Sequence, residues 1–279
     1  MILDYNIKKE ASMVIFMYTD STCEHQAISC IKTLLPRLRS NDTILYYTVG
    51  FESSFESENL RKIKFDLTDY PTFHYYKAEL SLLTMELYPE EEHFFFTDTD
   101  ILYSKRFNPA NLEHDFDYPL ASFGPYQHPY KFEVVNGEKK VYDEGNLMRY
   151  LGVPHQLHWY VWSCIFSYNR KCTDFLEEYT SLCKNKYLLD RREDYYPFHD
   201  ETPFNVCLYK RNGHESLGFA FVNTSNPDTV ELVENARVVE WKNEETNGWE
   251  YVQDSDRVIA YHGFKEKSLA DQAIKKILG

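Results

Sequence analysis

The chain has 279 residues, of which 43% are hydrophobic and 27% are charged, and its formal net charge is −14. This length and composition are sufficient for a large folded core without disulfide support, and the acidic balance argues against a nucleic acid as partner. Aromatic residues make up 16% of the chain and include 23 tyrosines, whose rings and hydroxyls suit core edges as well as contacts to sugars and nucleobases.

The first hundred residues alternate between strand-like and helix-like segments. The apolar run "MVIFMYT" (Met13–Thr19) predicts a strand that is buried on both faces, and the segment after it has helical spacing up to Pro36. "DTILYYTVG" and "RKIKFDL" predict two more strands, "TFHYYKAELSLLTMELY" predicts an amphipathic helix, and "HFFFTDTDILY" (His93–Tyr103) predicts a fourth strand. This alternation predicts an α/β fold with a mostly parallel sheet covered by helices on both faces.

The remainder of the chain is less regular. "PLASFGPY", "LHWYVWSCIFSYN", "GFAFVNT" and "DRVIAYHGF" predict strands, whereas "CTDFLEEYTSLCKN", "TPFNVCLYKRN" and "SLADQAIKKIL" predict helices. The stretch "NGEKK" predicts a hairpin turn. We find no internal repeat or clear linker and expect one α/β domain over residues 1–279, with an irregular second half.

The six cysteines lack the spacing of a metal site, so we expect free thiols in a reducing compartment. The N-terminus lacks the basic head and long apolar region of a signal peptide. No apolar run reaches the ~18 residues that span a bilayer. We therefore expect a soluble, cytoplasmic protein of bacterial or viral type, or a soluble piece of a longer protein.

The segment "FFFTDTDIL" places Asp98 and Asp100 one residue apart at the end of an apolar strand. Ligands of parallel sheets lie beyond the carboxyl ends of the strands. Strand alternation would turn both carboxylates to the same side, within reach of one hard cation such as Mg²⁺ or Mn²⁺. The alternative is an ordinary turn with solvated acids.

A second candidate is "FHDETPFN", in which His199, Asp200 and Glu201 directly precede a predicted helix that contains Asn205. Acidic residues at a helix start commonly cap backbone N–H groups. Three consecutive ionisable residues exceed what capping requires, so one carboxylate is a candidate base or nucleophile.

A third candidate is "YHGFKEK", which follows the strand "RVIA". Gly263 relaxes the backbone there, and His262 and Lys265 can reach a diphosphate or a metal ion. The alternative is a strand-to-helix loop with exposed basic residues.

Together, the strand-end Asp-x-Asp, the later His-Asp-Glu helix and the basic C-terminal loop resemble a GT-A glycosyltransferase. The closest resemblance is to the family 6 retaining α-galactosyl and N-acetylgalactosaminyl transferases, which include the blood-group enzymes. It rests on "DTD", on "HDETPFN" about 100 residues later, and on "FGPYQHPY" between them. Phe204 stands where that family usually has Leu, and the "YHGFK" tail is more similar to the loop of glycogenin-like transferases.

The resemblance implies a GT-A, Rossmann-like sheet with a nucleotide-binding half (1–103) and an acceptor-side catalytic half (104–279). It implies a nucleotide-sugar donor, in particular a UDP-sugar, a glycan acceptor, and Mn²⁺ or Mg²⁺ held by Asp98 and Asp100. Asp100 is the preferred direct ligand, with Asp98 alternatively on the ribose or sugar. Glu201 would lie beneath the anomeric carbon, and Asp200 would orient donor hydroxyls.

Further contacts implied for the donor come from Tyr18, Thr19, Lys77, His262 and Lys265. Lys77 would either neutralise the DTD segment or touch the donor sugar. His128, Trp159 and Trp162 would form the acceptor rim. The pattern leaves three alternatives open, namely an inverting transferase, a haloacid-dehalogenase-like phosphatase, and a non-catalytic sugar-binding protein.

Overall fold

The computed structural model describes residues 12–65, 73–123, 130–135, 138–143, 145–154, 161–196, 199–216, 218–235, 239–243, 248–252 and 258–279. Its strands are β1 (Met13–Asp20), β2 (Thr43–Val49), β3 (Leu60–Phe65), β4 (His93–Thr97), β5 (Ile101–Tyr103), β6 (Leu120–Phe123), β7 (Tyr130–Val135), β8 (Glu138–Asp143), β9 (Val161–Asn169), β10 (Phe219–Asn223), β11 (Val239–Asn243), β12 (Gly248–Val252) and β13 (Val258–His262). Its α-helices are α1 (Glu24–Leu34), α2 (Tyr76–Leu87), α3 (Asn146–Tyr150), α4 (Thr173–Cys183), α5 (Lys186–Leu189), α6 (Arg192–Tyr195), α7 (Glu201–Lys210), α8 (Pro227–Asn235) and α9 (Lys267–Leu278).

Nine strands form one sheet in the order β3-β2-β1-β4-β9-β6-β10-β13-β5. Five of the eight pairings in this described sheet are parallel, and those of β4 with β9, β6 with β9 and β5 with β13 are antiparallel. The prediction of a mostly parallel sheet is therefore confirmed. The predicted hairpin near "NGEKK" is confirmed by the antiparallel pairing of β7 with β8, although residues 136–137 themselves are not described.

The sheet has a hydrophobic core on each face, as the continuous apolar run in β1 predicts. Val14, Phe16 and Tyr18 belong to the core beneath α2, α4 and α7, whereas Ile15 and Met17 belong to the core beneath α1. A strand that is buried on both faces cannot show polar alternation, because neither side meets water.

The segment that was predicted as one strand from His93 to Tyr103 is in fact two strands. β4 ends at Thr97, and β5 begins at Ile101 on the far edge of the sheet, next to β13. Four residue steps span at most about 14 Å, so the sheet must curve until its far edge lies beside the end of β4. This curvature brings the C-terminal strand β13 to the DTD segment.

Candidate active site

The DTD segment is a turn rather than an extended strand. The backbone amide of Asp98 still donates to the carbonyl of Cys164 on β9, at 2.7 Å, but Thr99 and Asp100 form a turn. Strand alternation therefore does not set the directions of the two carboxylates, and the expectation that they share one metal ion stays a prediction. The two side chains instead meet different neighbours, Asp98 facing α2 and Asp100 facing β13.

Lys77, on α2, joins the two acidic segments predicted from sequence. Its ammonium nitrogen Nζ lies 2.9 Å from Oδ2 of Asp200 and 3.7 Å from Oδ1 of Asp98. The lysine side chain is only 4% exposed, and its Nζ lies 4.8 Å from the centre of the Phe96 ring. Asp98 and Asp200, which are about 100 positions apart in sequence, thus both lie next to the buried ammonium of Lys77.

The charges at this point shift one another's protonation. Burial opposes the charged form of Asp200, but the Lys77 ammonium outweighs burial and lowers the pKa of Asp200. Burial likewise opposes the charge of Lys77, but Asp200 and Asp98 raise the pKa of the lysine well above its usual value. Burial raises the pKa of Asp98 to about 8. The negative charges of nearby carboxylates add to this rise, whereas the Lys77 ammonium opposes it. The side chain of Asp98 is still 34% exposed, so water or a cation can reach it and would oppose that rise.

The His-Asp-Glu segment begins α7, as predicted. Asp200 occupies the N-cap position, but its side chain makes no capping hydrogen bond. Glu201 is the first helical residue and is half-buried, and its carboxylate contributes to the raised pKa of Asp98, which places the two acids within electrostatic range. Asn205 fixes the helix to β9 through hydrogen bonds with both the N–H and the C=O of Val161, at 2.8 and 2.7 Å.

His199 precedes these acids in a left-handed backbone conformation, with φ of 49°. Its ring stacks on that of His74 at 5.1 Å between centroids, with an interplanar angle of 20°. Non-glycine residues in this backbone region are uncommon and cluster at functional sites. The stacked imidazoles lie next to Asp200, whose charge acts on His74.

The C-terminal basic loop contacts the DTD turn from the other side. Nε2 of His262 lies 3.5 Å from Oδ1 of Asp100, and the backbone amide of Gly263 donates to the Asp100 carbonyl at 3.2 Å. Nδ1 of His262 is 3.0 Å from Oδ1 of Asn223, the residue directly opposite in the β10–β13 pairing. Since Oδ1 can only accept, Nδ1 carries a hydrogen, and burial lowers the pKa of His262, which favours the neutral ring with a lone pair on Nε2.

Gly263 has a backbone φ of 111°, which L side chains rarely adopt, and an added Cβ would lie 3.4 Å from Oδ1 of Asn223. We expect Gly263→Ala to lower the free energy of unfolding by about 1–3 kcal/mol, measured by urea denaturation. Gly152→Ala is the matched control, since its φ is 67° and nothing lies within 4 Å of the added Cβ. A loss no larger than that of the control would show that this loop relaxes around a side chain.

The remaining predicted residues have different surroundings. Tyr18 and Thr19 lie near the end of β1 and are 6% and 1% exposed, and the Tyr18 hydroxyl donates to the His74 carbonyl at 3.4 Å. Trp162 packs its ring at 5.2 Å from that of His262, so it lies on the side of the basic loop. Lys265 is exposed, and its backbone carbonyl lies 2.9 Å from Nε2 of His25 on α1. The predicted acceptor residues His128 and Trp159 lie outside the described residues.

The donor set at the DTD turn suits part of a Mg²⁺ or Mn²⁺ shell. Asp98 and Asp100 supply carboxylate oxygens, and Nε2 of His262 lies 3.5 Å from Oδ1 of Asp100. No group of three or more His, Cys, Asp or Glu among the described residues is arranged to hold a metal ion by itself. Mg²⁺-type sites characteristically combine one or two carboxylates with substrate phosphates, so an incomplete protein shell fits such an ion.

Sequence reasoning missed three side chains at this site. Ser163 on β9 and Tyr179 on α4 both donate to Oδ2 of Asp200, at 2.9 and 3.0 Å, and Asn223 orients His262. A serine inside the apolar run "VWSCIF" is the only sequence signal for any of them. The tyrosine is one of 23 and has no distinguishing pattern.

The curved, mostly parallel sheet, covered by helices on both faces and with acidic residues beyond its carboxyl ends, defines a GT-A, Rossmann-like fold. The predicted fold class is confirmed by comparison with solved structures. One similar structure is the apo structure of WbbM, described as a bifunctional glycosyltransferase, with a TM-score of 0.61 and 12% identity. The match covers 98% of this chain and 50% of that one, so the chain spans about half the length of WbbM.

At 12% identity this likeness shows the fold alone, and the resemblance to family 6 stays a prediction. No protein-family model matches the sequence, and no curated protein matches it significantly. Within the part of the chain that the structure describes, no helix has both the length and the apolar character to cross a membrane.

Proposed function

We propose that the chain is a metal-dependent glycosyltransferase that moves a hexose from a UDP-sugar to a hydroxyl of a glycan acceptor, with retention of anomeric configuration. Galactose, N-acetylgalactosamine and glucose are the candidate hexoses. The observation that carries the proposal is the meeting of Asp98 and Asp200 at one buried lysine, beyond the carboxyl ends of the strands of a GT-A fold. Ligands of open α/β sheets bind at this edge.

In this proposal, Asp98 and Asp100 hold Mn²⁺ or Mg²⁺ against the donor diphosphate. When bound, such an ion stabilises the negative charge that accumulates on the leaving group. His262 and Lys265 face the same phosphates from the basic loop, which the backbone contact between Gly263 and Asp100 keeps close to the turn. Tyr18 and Thr19, at the end of β1, are assigned to the nucleoside.

Glu201 is the residue assigned to the anomeric carbon. It is half-buried and electrostatically linked to Asp98, whereas the neighbouring Asp200 is 3% exposed. In retaining chemistry, the Glu201 carboxylate bonds to the anomeric carbon, or stabilises it as an oxocarbenium ion, while the bond to the diphosphate breaks. The acceptor hydroxyl then bonds to that carbon, Glu201 is released, and the hydroxyl proton passes to the departing diphosphate.

The test is hydrolysis of a panel of nucleotide sugars in the presence of Mn²⁺, with a metal chelator as the negative condition. We expect at least one UDP-hexose to be turned over, and Asp100→Ala to lower turnover by at least about 10²-fold. Asp228→Ala is the control, because that aspartate is 85% exposed on α8.

Two outcomes would contradict the proposal. Release of phosphate from simple phosphate esters without nucleotide-sugar turnover would favour the phosphatase, which the GT-A fold and the three strands before β4 oppose. Binding of UDP-sugars without turnover across the panel would favour a non-catalytic sugar-binding protein. Anomeric analysis of the product separates retention from inversion.

A further inference from the structure

Four polar side chains form a buried cluster beneath the DTD turn. Lys77 on α2, Ser163 on β9, Tyr179 on α4 and Asp200 before α7 are 4%, 0%, 0% and 3% exposed, respectively. We call these four residues the Lys77 cluster. Buried polar groups are costly unless every donor and acceptor is paired, so each donor of the cluster needs a partner within it.

The ammonium of Lys77 has three N–H donors and three hydrogen-bonding partners inside the cluster. It lies 2.9 Å from Oδ2 of Asp200, 2.9 Å from the Ser163 carbonyl and 3.0 Å from the Ser163 hydroxyl oxygen. Asp98, at 3.7 Å, is beyond hydrogen-bond distance and feels only the charge. With three donors and three partners, no N–H of Lys77 is left for a donor sugar.

One carboxylate oxygen of Asp200 likewise has three hydrogen-bonding partners. Its Oδ2 accepts from the Lys77 ammonium, from the Ser163 hydroxyl at 2.9 Å and from the Tyr179 hydroxyl at 3.0 Å. The same side chain makes no cap on α7 although it occupies the capping position. The carboxylate of Asp200 therefore links the start of α7, directly before Glu201, to α2, β9 and α4.

We propose that Ser163 and Tyr179 are positioning residues, which act through Asp200 to fix Glu201 and through Lys77 to hold a positive charge beside Asp98. Lys77 and Asp200 then serve as the supports of the two acidic segments, rather than as groups that touch the donor. This inference rests on the proposed glycosyl transfer. Supporting residues of this kind typically change activity by 10–100-fold when altered, because small displacements of a reacting group are costly.

The test compares Tyr179→Phe with Tyr168→Phe. Tyr168 is also almost fully buried, and its hydroxyl donates to the backbone carbonyl of Ser81 at 3.1 Å instead of to the Lys77 cluster. Each variant loses one buried hydroxyl, so both should show a similar fall in Tm. We expect Tyr179→Phe to lower kcat for nucleotide-sugar hydrolysis about tenfold, with KM for the donor unchanged, and Tyr168→Phe to keep the wild-type kcat.

Hydrogen exchange gives a readout that does not depend on turnover. The backbone amide of Phe204 donates to the Asp200 carbonyl at 3.1 Å. We expect its exchange rate to rise about tenfold in Tyr179→Phe, as for the loss of one hydrogen bond, and to stay unchanged in Tyr168→Phe.

Equal kcat values in the two variants at equal Tm would overturn the inference, as would unchanged exchange at Phe204. Absence of turnover in the wild-type protein is a different result. It would refute the proposed transferase, while the exchange at Phe204 would still decide whether the cluster fixes the start of α7.

Discussion

Replacing Glu201 with glutamine is expected to lower turnover of the nucleotide sugar by at least about 10³-fold while the protein stays folded. The amide has nearly the same shape as the carboxylate, but it carries no charge to stabilise an oxocarbenium ion and is a poor nucleophile toward the anomeric carbon. The fold should tolerate the change because Glu201 is half-buried in the first turn of α7. The interaction of its charge with the helix dipole is worth about 0.3–1 kcal/mol, so its loss should leave the protein folded.

The measurement is the initial rate of donor hydrolysis, together with NMR assignment of the anomeric configuration of the first product. Asp228→Asn is the matched control, since this aspartate also lies in the first turn of a helix, α8, and is exposed. A near wild-type rate in Glu201→Gln would exclude Glu201 as the group under the anomeric carbon. An inverted product from the wild-type protein would instead assign an inverting mechanism.

Local sequence patterns predict the strands and helices around this site well. Each face of β1 is buried, so an unbroken apolar run is its natural pattern, and α7 begins where "HDETPFN" predicts. The polar residues at the strand ends are predicted in the same way, because they interrupt an apolar run. These features depend on neighbours in sequence, which is why periodicity identifies them.

Contacts between segments that are distant in sequence leave no local pattern by which they could be predicted. The antiparallel direction of β9 between β4 and β6 and the return of β5 to the far edge of the sheet depend on where distant strands pair. A local pattern fixes which face of a strand is buried but not which partner lies beside it. The proximity of His262 to Asp100 follows from that pairing, so the sequence identifies both residues without placing them together.

The direction of the Asp200 side chain is another feature that local sequence does not predict. An acidic residue before a helix is typical of a cap, and its backbone position is indeed the N-cap. The side chain turns inward because the buried ammonium of Lys77 requires a counter-charge. Such a requirement can be recognised only once α2 and α7 are known to lie on the same core.

Replacing Lys77 with methionine is expected to lower the free energy of unfolding by about 3–5 kcal/mol at pH 7, because the buried carboxylate of Asp200 would lose its counter-charge. Both side chains are at most 5% exposed, so water cannot compensate. The double substitution Lys77→Met/Asp200→Leu removes both charges and should recover most of this loss. Urea denaturation of the wild type, Lys77→Met and the double variant measures the free energy of unfolding. A loss below about 1 kcal/mol for Lys77→Met would show that Asp200 finds another partner.

The deficit of Lys77→Met should also depend on pH, in a direction set by the two pKa shifts. The pKa of Asp200 is lowered in the wild-type fold, so its stabilisation is complete above its unfolded pKa of about 4 and is lost as the pH falls further. The pKa of Lys77 is raised, so its contribution is complete below an unfolded pKa of about 10.4 and is lost only at higher pH. The gap between wild type and Lys77→Met should therefore be present at neutral pH and narrow as the pH falls and Asp200 becomes protonated. In the variant, protonation of the unpaired Asp200 also relieves its buried charge in acid, which narrows the gap further. A gap that stays constant down to pH 3 would mean that the lysine stabilises the fold by packing on Phe96 rather than by its charge.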